Sequence, residues 1–240
     1  MFTDKKEQDY IREQEELRQK INLKNTVDLE KIRAVAGVDL AYWKEQKKGE
    51  EYAVCCIVVL DYRTHKVIEK ASFAEKIGVP YIPGCLAYRE IPVFLKAYRK
   101  LENEPEVLFF DGNGYLHPRH MGLATHAGIL LDKACVGVAK TYYKVGNVDF
   151  VMPKNDTGAS TDIVIGEEVY GRVLRTHAGV KPVFISIGNK IDLDTAVQMA
   201  MALTEKESHI PLPTRLADLM THEERRKNQA FNNQASRKTN

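Results

Sequence analysis

The sequence has no run of about 18 apolar residues, so no segment is expected to span a membrane as a helix. It opens MFTDKKEQDY, charged and without an apolar stretch, which argues against a secretory signal and for a cytoplasmic protein. Its four cysteines, Cys55, Cys56, Cys85 and Cys135, form no C-x-x-C pair, so neither a zinc ribbon nor a dithiol redox motif is indicated. Free thiols in a reducing compartment are expected, with Cys55 and Cys56 on opposite faces of a strand. A strong charge of one sign is also missing. The net charge of +2 does not by itself point to nucleic acid, yet a local basic groove can sit on a nearly neutral protein. G-x-x-x-x-G-K-[ST] and G-x-S-x-G are absent, and the G-x-G at Gly112 and Gly114 lacks the third glycine of a dinucleotide fingerprint. There is no internal repeat and no low-complexity segment.

What is present is an ordinary globular composition over 240 residues, enough for one large domain with a full core. We expect residues 1–220 to form one catalytic domain. Residues 221–240, charged and polar, are expected to fray. From Lys5 to Leu23 a thin stripe of Ile11, Leu17 and Ile21 predicts an amphipathic helix. Strands are expected at Ile32–Tyr42, Tyr52–Leu60 and Lys66–Phe73, the last two joined by the short turn DYRTH as a hairpin. The pattern then changes. Cys85 to Lys100 has helical spacing, and Pro92 predicts that the main helix begins after Glu90. EVLFFD (Glu106–Asp111) and ACVGVA (Ala134–Ala139) read as buried parallel strands. Arg119–Leu131 and Leu193–Glu205 read as helices. Asp162–Arg175 reads as one or two strands, and Pro182–Ser186 as another. A meander followed by alternating strands and helices predicts an α/β fold, a mixed sheet flanked by helices.

Three acids stand out. Asp39 and Asp111 end apolar strands, where α/β sheets place their sites, and Glu90 begins a helix after PYIPG. Converged, they would offer an oxygen-rich site for a hard cation such as Mg²⁺. Two such ions about 3.5–4 Å apart suit in-line phosphodiester hydrolysis. Each acid taken alone is more readily a cap or turn residue. In LHPRHMGLATH, His117, His120 and His126 match no zinc spacing. They suit a positive charge near phosphate or a satisfied loop histidine. PYIPG, stiffened by two prolines, predicts a rigid tip presenting Tyr81 and Ile82, which could wedge into a base stack. The same composition also fits a plain turn with Tyr81 in the core.

As a set, AGVDLAYW, VPYIPGCLAYRE, FFDGNGYLHPRHMGLATHAG, GVAK, YGRVLRT, GVKPVFISIGN and LPTRLAD, in order from about Val35 to Asp218, resemble the endonuclease V family. The resemblance implies a ribonuclease H-like fold. It implies recognition of hypoxanthine and cleavage of the second phosphodiester bond on its 3′ side, leaving 3′-hydroxyl and 5′-phosphate ends. The substrate it implies is DNA containing deoxyinosine, with inosine-containing RNA as a further candidate, and the cofactor Mg²⁺, with Mn²⁺ as a substitute. Asp39, Asp111 and Glu90 match the family's metal-binding acids, and Lys140 matches a lysine near the scissile phosphate. Tyr81 matches the residue that fills the space of the extruded base. Ile82, Pro83, Gly84, Gly112, His117 and Gly122 complete the implied substrate-binding set, and a monomer can hold all of these parts.

The chain departs from the family pattern twice, with DGNG where DGHG is usual, and with Asn189 in SIGN where a histidine near the metal or the attacking water is usual. Asparagine cannot act as a base near neutral pH, although Asp192 could substitute if its helix turns it inward. An active nuclease is therefore expected from the three acids. Asn113 and Asn189 motivate a rival, a protein that binds inosine and cuts slowly or not at all. A third reading is a ribonuclease H-like nuclease with another target, such as branched DNA.

Overall fold

The computed structural model describes residues 2–45 and 49–238. Eight strands form one sheet in the order β3-β2-β1-β4-β5-β8-β7-β6. The first three, β1 (Ala34–Lys44), β2 (Glu51–Asp61) and β3 (Val67–Lys76), pair antiparallel. The β2–β3 turn is set by the Asp61 carboxylate, which accepts the N–H of Thr64 at 2.7 Å and of Arg63 at 3.2 Å. Strands β4 (Val107–Asp111) and β5 (Ala134–Ala139) run parallel to β1. A hairpin of β6 (Ser160–Ile165) and β7 (Glu168–Leu174) joins the sheet through β8 (Val183–Asn189), which lies antiparallel to β5. The helices are α1 (Phe2–Arg18), α2 (Ala87–Tyr98), α3 (Leu123–Leu131), α4 (Leu193–Ala202) and α5 (Leu212–Lys238). The architecture is the expected ribonuclease H-like mixed sheet flanked by helices.

Strand alternation divides the core into two layers. Ala36, Val38, Leu108 and Phe110 pack with Ile91 and Phe94 of α2 and Ala124 of α3. Val35, Val107, Phe109 and Val136 pack on the other face with Met199 of α4 and Leu212 of α5. Cys55 belongs to the first face, and Cys56, beside Met220 of α5, to the second, as their adjacency predicts. All four thiols are free and buried.

Several element bounds differ from the sequence expectation. Helix α2 starts at Ala87 and holds Pro92 in its interior. Proline there removes one N–H and crowds a carbonyl, and burial of Ala87, Ile91, Val93 and Phe94 outweighs that loss. Helix α3 starts at Leu123 rather than Arg119, because His120 takes a left-handed conformation (φ 55°) and Gly122 caps the helix in an extended one. Helix α1 stops at Arg18, short of Leu23. Strand β8 continues to Asn189. Of residues 221–240, expected to fray, 221–238 continue helix α5: Thr221 is buried, and Lys227 pairs with Glu224 at 2.7 Å; residues 239–240 lie outside the described residues. No described helix is long and apolar enough to cross a membrane.

Candidate active site

The alternation that sorts the core also sorts the acids. Asp39 stands opposite Cys56 on β2, and Asp111 has the parity of Val107 and Phe109. Both therefore project on the face covered by α5. That helix brings a third acid, Asp218. One carboxylate oxygen from each of Asp39, Asp111 and Asp218 lies within 4.8 Å of the others. The Lys140 ammonium, just beyond β5, sits 2.6 Å from Asp111 Oδ2 and 3.4 Å from Asp218 Oδ2. One turn beyond Asp218, the buried Thr221 hydroxyl donates to Asp39 Oδ2 at 3.0 Å.

The electrostatics are those of crowded like charges. Burial, then the charge of Asp111, pushes Asp39 up to about 7, against the Thr221 hydrogen bond. Burial also raises Asp111, although Lys140 opposes it. Lys140 itself is raised: burial disfavours its charge, but the hydrogen bond to Asp111 and the surrounding acids win. Three carboxylates with one ammonium leave excess negative charge in a half-buried place. An all-oxygen donor set of this kind fits a hard divalent cation.

Glu90 is not in this group. It comes from the α2 face, where the Tyr42 hydroxyl donates to its Oε1 at 3.0 Å. Burial is the main reason its carboxyl is raised to about 7, and Asp39 and Asp111 add to the effect. It meets the acid cluster through a cavity of about 250 Å³, whose lining includes Glu90, Asp111, Gly84, Gly112, Gly122 and His117. Tyr81 and Pro83 also line it. Tyr81 is 63 % exposed, so it stands clear of the core. Ile82 does the opposite of what was expected of the tip: it is buried at 4 %, turned inward where Cys85 N bonds its carbonyl at 2.9 Å.

Gly84 has φ +72°, and a Cβ there would meet the Arg119 guanidinium at 2.8 Å. Gly122 is needed for packing within the loop, since its Cβ would lie 2.3 Å from the Asn113 carbonyl oxygen. His117 is the satisfied loop histidine of the two readings. Its Nδ1 accepts from the N–H of Arg119 (3.2 Å) and Met121 (3.3 Å), so Nε2 carries the proton and donates to Gly84 O at 3.1 Å. Burial, then the nearby Arg119 charge, lowers it to about 4. Burial lowers His126 to about 4 and also lowers His120, so none of the three offers a charge to phosphate near neutral pH.

The two residues expected to stand in for the family histidine are elsewhere. Asn189 is a buried tie, donating to Gly128 O at 3.0 Å and accepting from Asn22 N at 2.9 Å. Asp192 caps α4 by accepting from Thr195 N at 2.7 Å. The acid that joins the cluster is Asp218, the last residue of LPTRLAD, to which the sequence reading assigned no role.

A sheet of this order with three carboxylates at one point defines a class, the nucleases of ribonuclease H-like fold. The Endonuclease V family model matches residues 15–219. Endonuclease V of Bacillus subtilis is 53 % identical over 221 residues, 92 % of each chain. Its crystal structure superposes with a TM-score of 0.90 at 52 % identity, covering 94 % of both chains. Endonuclease V of Ciona intestinalis, in complex with a 24-mer DNA containing an inosine followed by a ribo-adenosine, gives a TM-score of 0.79 at 30 % identity, covering 93 % of this chain and 99 % of that one. The chain belongs to the Endonuclease V family.

Proposed function

We propose that this protein is a DNA repair endonuclease that recognises deoxyinosine and hydrolyses the second phosphodiester bond on its 3′ side, leaving 3′-hydroxyl and 5′-phosphate ends. The observation that carries the reading is the shared wall: Asp111 and Glu90 line a cavity at the edge of the acid cluster. The inosine-containing DNA bound by the Ciona relative supports the same substrate. The reading of a binder that does not cut loses its ground, because Asn189 holds the fold together and the acid cluster is complete without it.

Asp39, Asp111 and Asp218 would hold the cation, which we take to be Mg²⁺ with Mn²⁺ as a substitute. Its chemistry, when bound, is Lewis-acid stabilisation of phosphoryl charge and acidification of the attacking water. Asp39, raised to about 7, must be ionised to hold it. Lys140, a mobile point charge on a flexible stem, is placed to neutralise a phosphate oxygen beside them. Glu90, oriented by Tyr42, holds or releases a proton near neutral pH at the boundary between cavity and cluster. An extruded base costs a few kcal/mol to unstack. Tyr81 at the rim would offset part of that cost, while Gly84 and Gly112 let backbone approach the base edge. Pro83 stiffens the rim, and His117 buttresses Gly84 as a neutral ring.

The test is a nicking assay on a duplex with one deoxyinosine, an adenine control, and Mg²⁺ or Mn²⁺ against EDTA. A cut one nucleotide beyond the inosine, dependent on metal, is expected. Equal cutting of the adenine control, or cutting in EDTA, would overturn the reading. An inosine-containing RNA strand in the same assay reports whether ribose is accepted. Tyr81→Ala should raise KM for the duplex about tenfold, within the range of ~1–3 kcal/mol that an aromatic stack on a base is worth. The effect should shrink on a single strand, where no base pair has to be opened. An equal loss on both strand types would show that Tyr81 does not serve as a wedge.

A further inference from the structure

Helix α1 lies outside the sheet and is exposed along most of its length, yet one polar residue on it is completely buried. Gln14 has no exposed surface, while Glu13, Glu15 and Glu16 beside it are exposed. Its Nε2 donates to Gly84 O at 3.0 Å, and its Oε1 accepts from Arg119 Nε. The same Arg119 donates through Nη2 to Gly84 O at 2.8 Å, and His117 Nε2 reaches that oxygen at 3.1 Å. One carbonyl thus receives three donors, from α1 and from the loop 117–119, against its two lone pairs. It belongs to the left-handed glycine of the loop that forms the cavity wall. One turn before Gln14, the Tyr10 ring stacks on Tyr88 of α2 at 3.8 Å, and the Tyr88 hydroxyl donates to Tyr10 O at 3.0 Å. Helix α1 is thereby strapped across the base of the loop 81–84.

We infer that Gln14 is a positioning residue for base recognition. It fixes the Arg119 guanidinium and, through it, the Gly84 carbonyl, so that the loop 81–84 keeps the cavity in shape. This rests on the reading of the cavity as a base site. Gln14 touches neither the acids nor Lys140, so its loss should act on binding and discrimination and leave turnover at saturation within about twofold. A buried hydrogen bond of about 1.4 kcal/mol corresponds to a tenfold change in an equilibrium. Gln14→Leu, close in size and unable to hydrogen-bond, should raise KM for deoxyinosine DNA and lower the inosine-to-adenine preference about tenfold. Gln14→Glu keeps an acceptor for Arg119 but sets a second oxygen against Gly84 O, so it should recover part of the loss and fall between the leucine variant and the natural protein.

A second readout needs no DNA. Cys85 follows Gly84, is buried, and has its sulfur 3.8 Å from Arg119 Nη2. In Gln14→Leu, Cys85 should react with a small maleimide about tenfold faster, while Cys55, Cys56 and Cys135 keep their rates. If all four thiols open together, Gln14→Ser, which puts no apolar surface in the polar pocket, replaces leucine in the same comparison. Unchanged Cys85 labelling, or faster labelling with an unchanged inosine-to-adenine preference, overturns the proposal. A natural protein without preference for inosine overturns the reading of the cavity instead, and the labelling still reports on the strap.

Discussion

Asp39→Asn is expected to abolish nicking and, at the same time, to make the metal-free protein more stable at pH 8. Both effects come from the same charge. The carboxylate pKa is raised from 3.8 to about 7 by burial and by Asp111. The folded chain therefore holds a proton that the unfolded chain releases between about pH 4 and pH 7. The stability from that proton is complete below the unfolded pKa and is lost as pH rises through the folded one. At pH 8, without a cation, the natural protein carries the full cost of a buried, crowded charge. Asparagine removes the charge and still accepts from the Thr221 hydroxyl. A gain on the order of 2 kcal/mol is expected at pH 8, since each pKa unit is worth about 1.4 kcal/mol and the shift is shared with coupled neighbours.

The gain should shrink to roughly a third of that at pH 5, where the folded Asp39 is protonated but its unfolded carboxyl is already mostly ionised. Saturating Mg²⁺ should reverse the order at pH 8, because a ligand that binds only the folded chain stabilises it by mass action. Nicking should fall about a thousandfold, the scale on which loss of one transition-state stabiliser is felt. Thermal melts at pH 5 and pH 8, in EDTA and in Mg²⁺, check all four corners. An asparagine variant no more stable than the natural protein at pH 8 in EDTA would show that the three acids do not strain one another.

The parts of the site that could be read from the sequence are those set by one strand. Asp111 closes β4 as its apolar run suggests, while Asp39 lies within β1, one residue past the point where its parallel pairing with β4 stops. Their shared face follows from parity once β1 and β4 are known to pair. Glu90 was legible as an acid near the site but not as a member of the opposite face, since that depends on which side α2 covers. Asp218 left no local signal. In LPTRLAD followed by a charged helix, it looks like any solvated acid, and only the path of α5 across β1 makes it a partner of Asp39. Asn189 misled for a related reason. Its position in the motif suggested the site, while its amide is fully used in joining Asn22 to Gly128. Ile82 and Tyr81 are adjacent in a proline-rich turn, and composition does not encode that Ile82 turns in while Tyr81 stays exposed.

The seat of α5 yields the second large prediction. Gly37 lies on β1, two residues before Asp39 and on the same face. A Cβ at Gly37 would fall 1.9 Å from Pro213 O, 2.0 Å from Pro213 C and 2.7 Å from Thr214 N. These are backbone atoms of the first turn of α5, so no side-chain rotation can relieve the overlap, and its backbone is not in the left-handed region, so only space is at issue. Gly37→Ala must lift the start of α5 away from the sheet. Five residues on from Pro213 stands Asp218, and Thr221 follows, so the lift would part them from Asp39. A loss of about 3 kcal/mol or more is expected, at the upper end for overpacking in a core, and a Tm lower by roughly 6–12 °C for a chain of this size. Divalent-cation affinity should fall with it, because two acids stay on the strands while the third moves with the helix. Gly78→Ala is the control: a Cβ there meets nothing within 4 Å, and the same methyl should be tolerated. If the two alanine variants melt together and bind the cation alike, α5 is not held against β1 closely enough to place Asp218, and the three-acid site loses its structural basis.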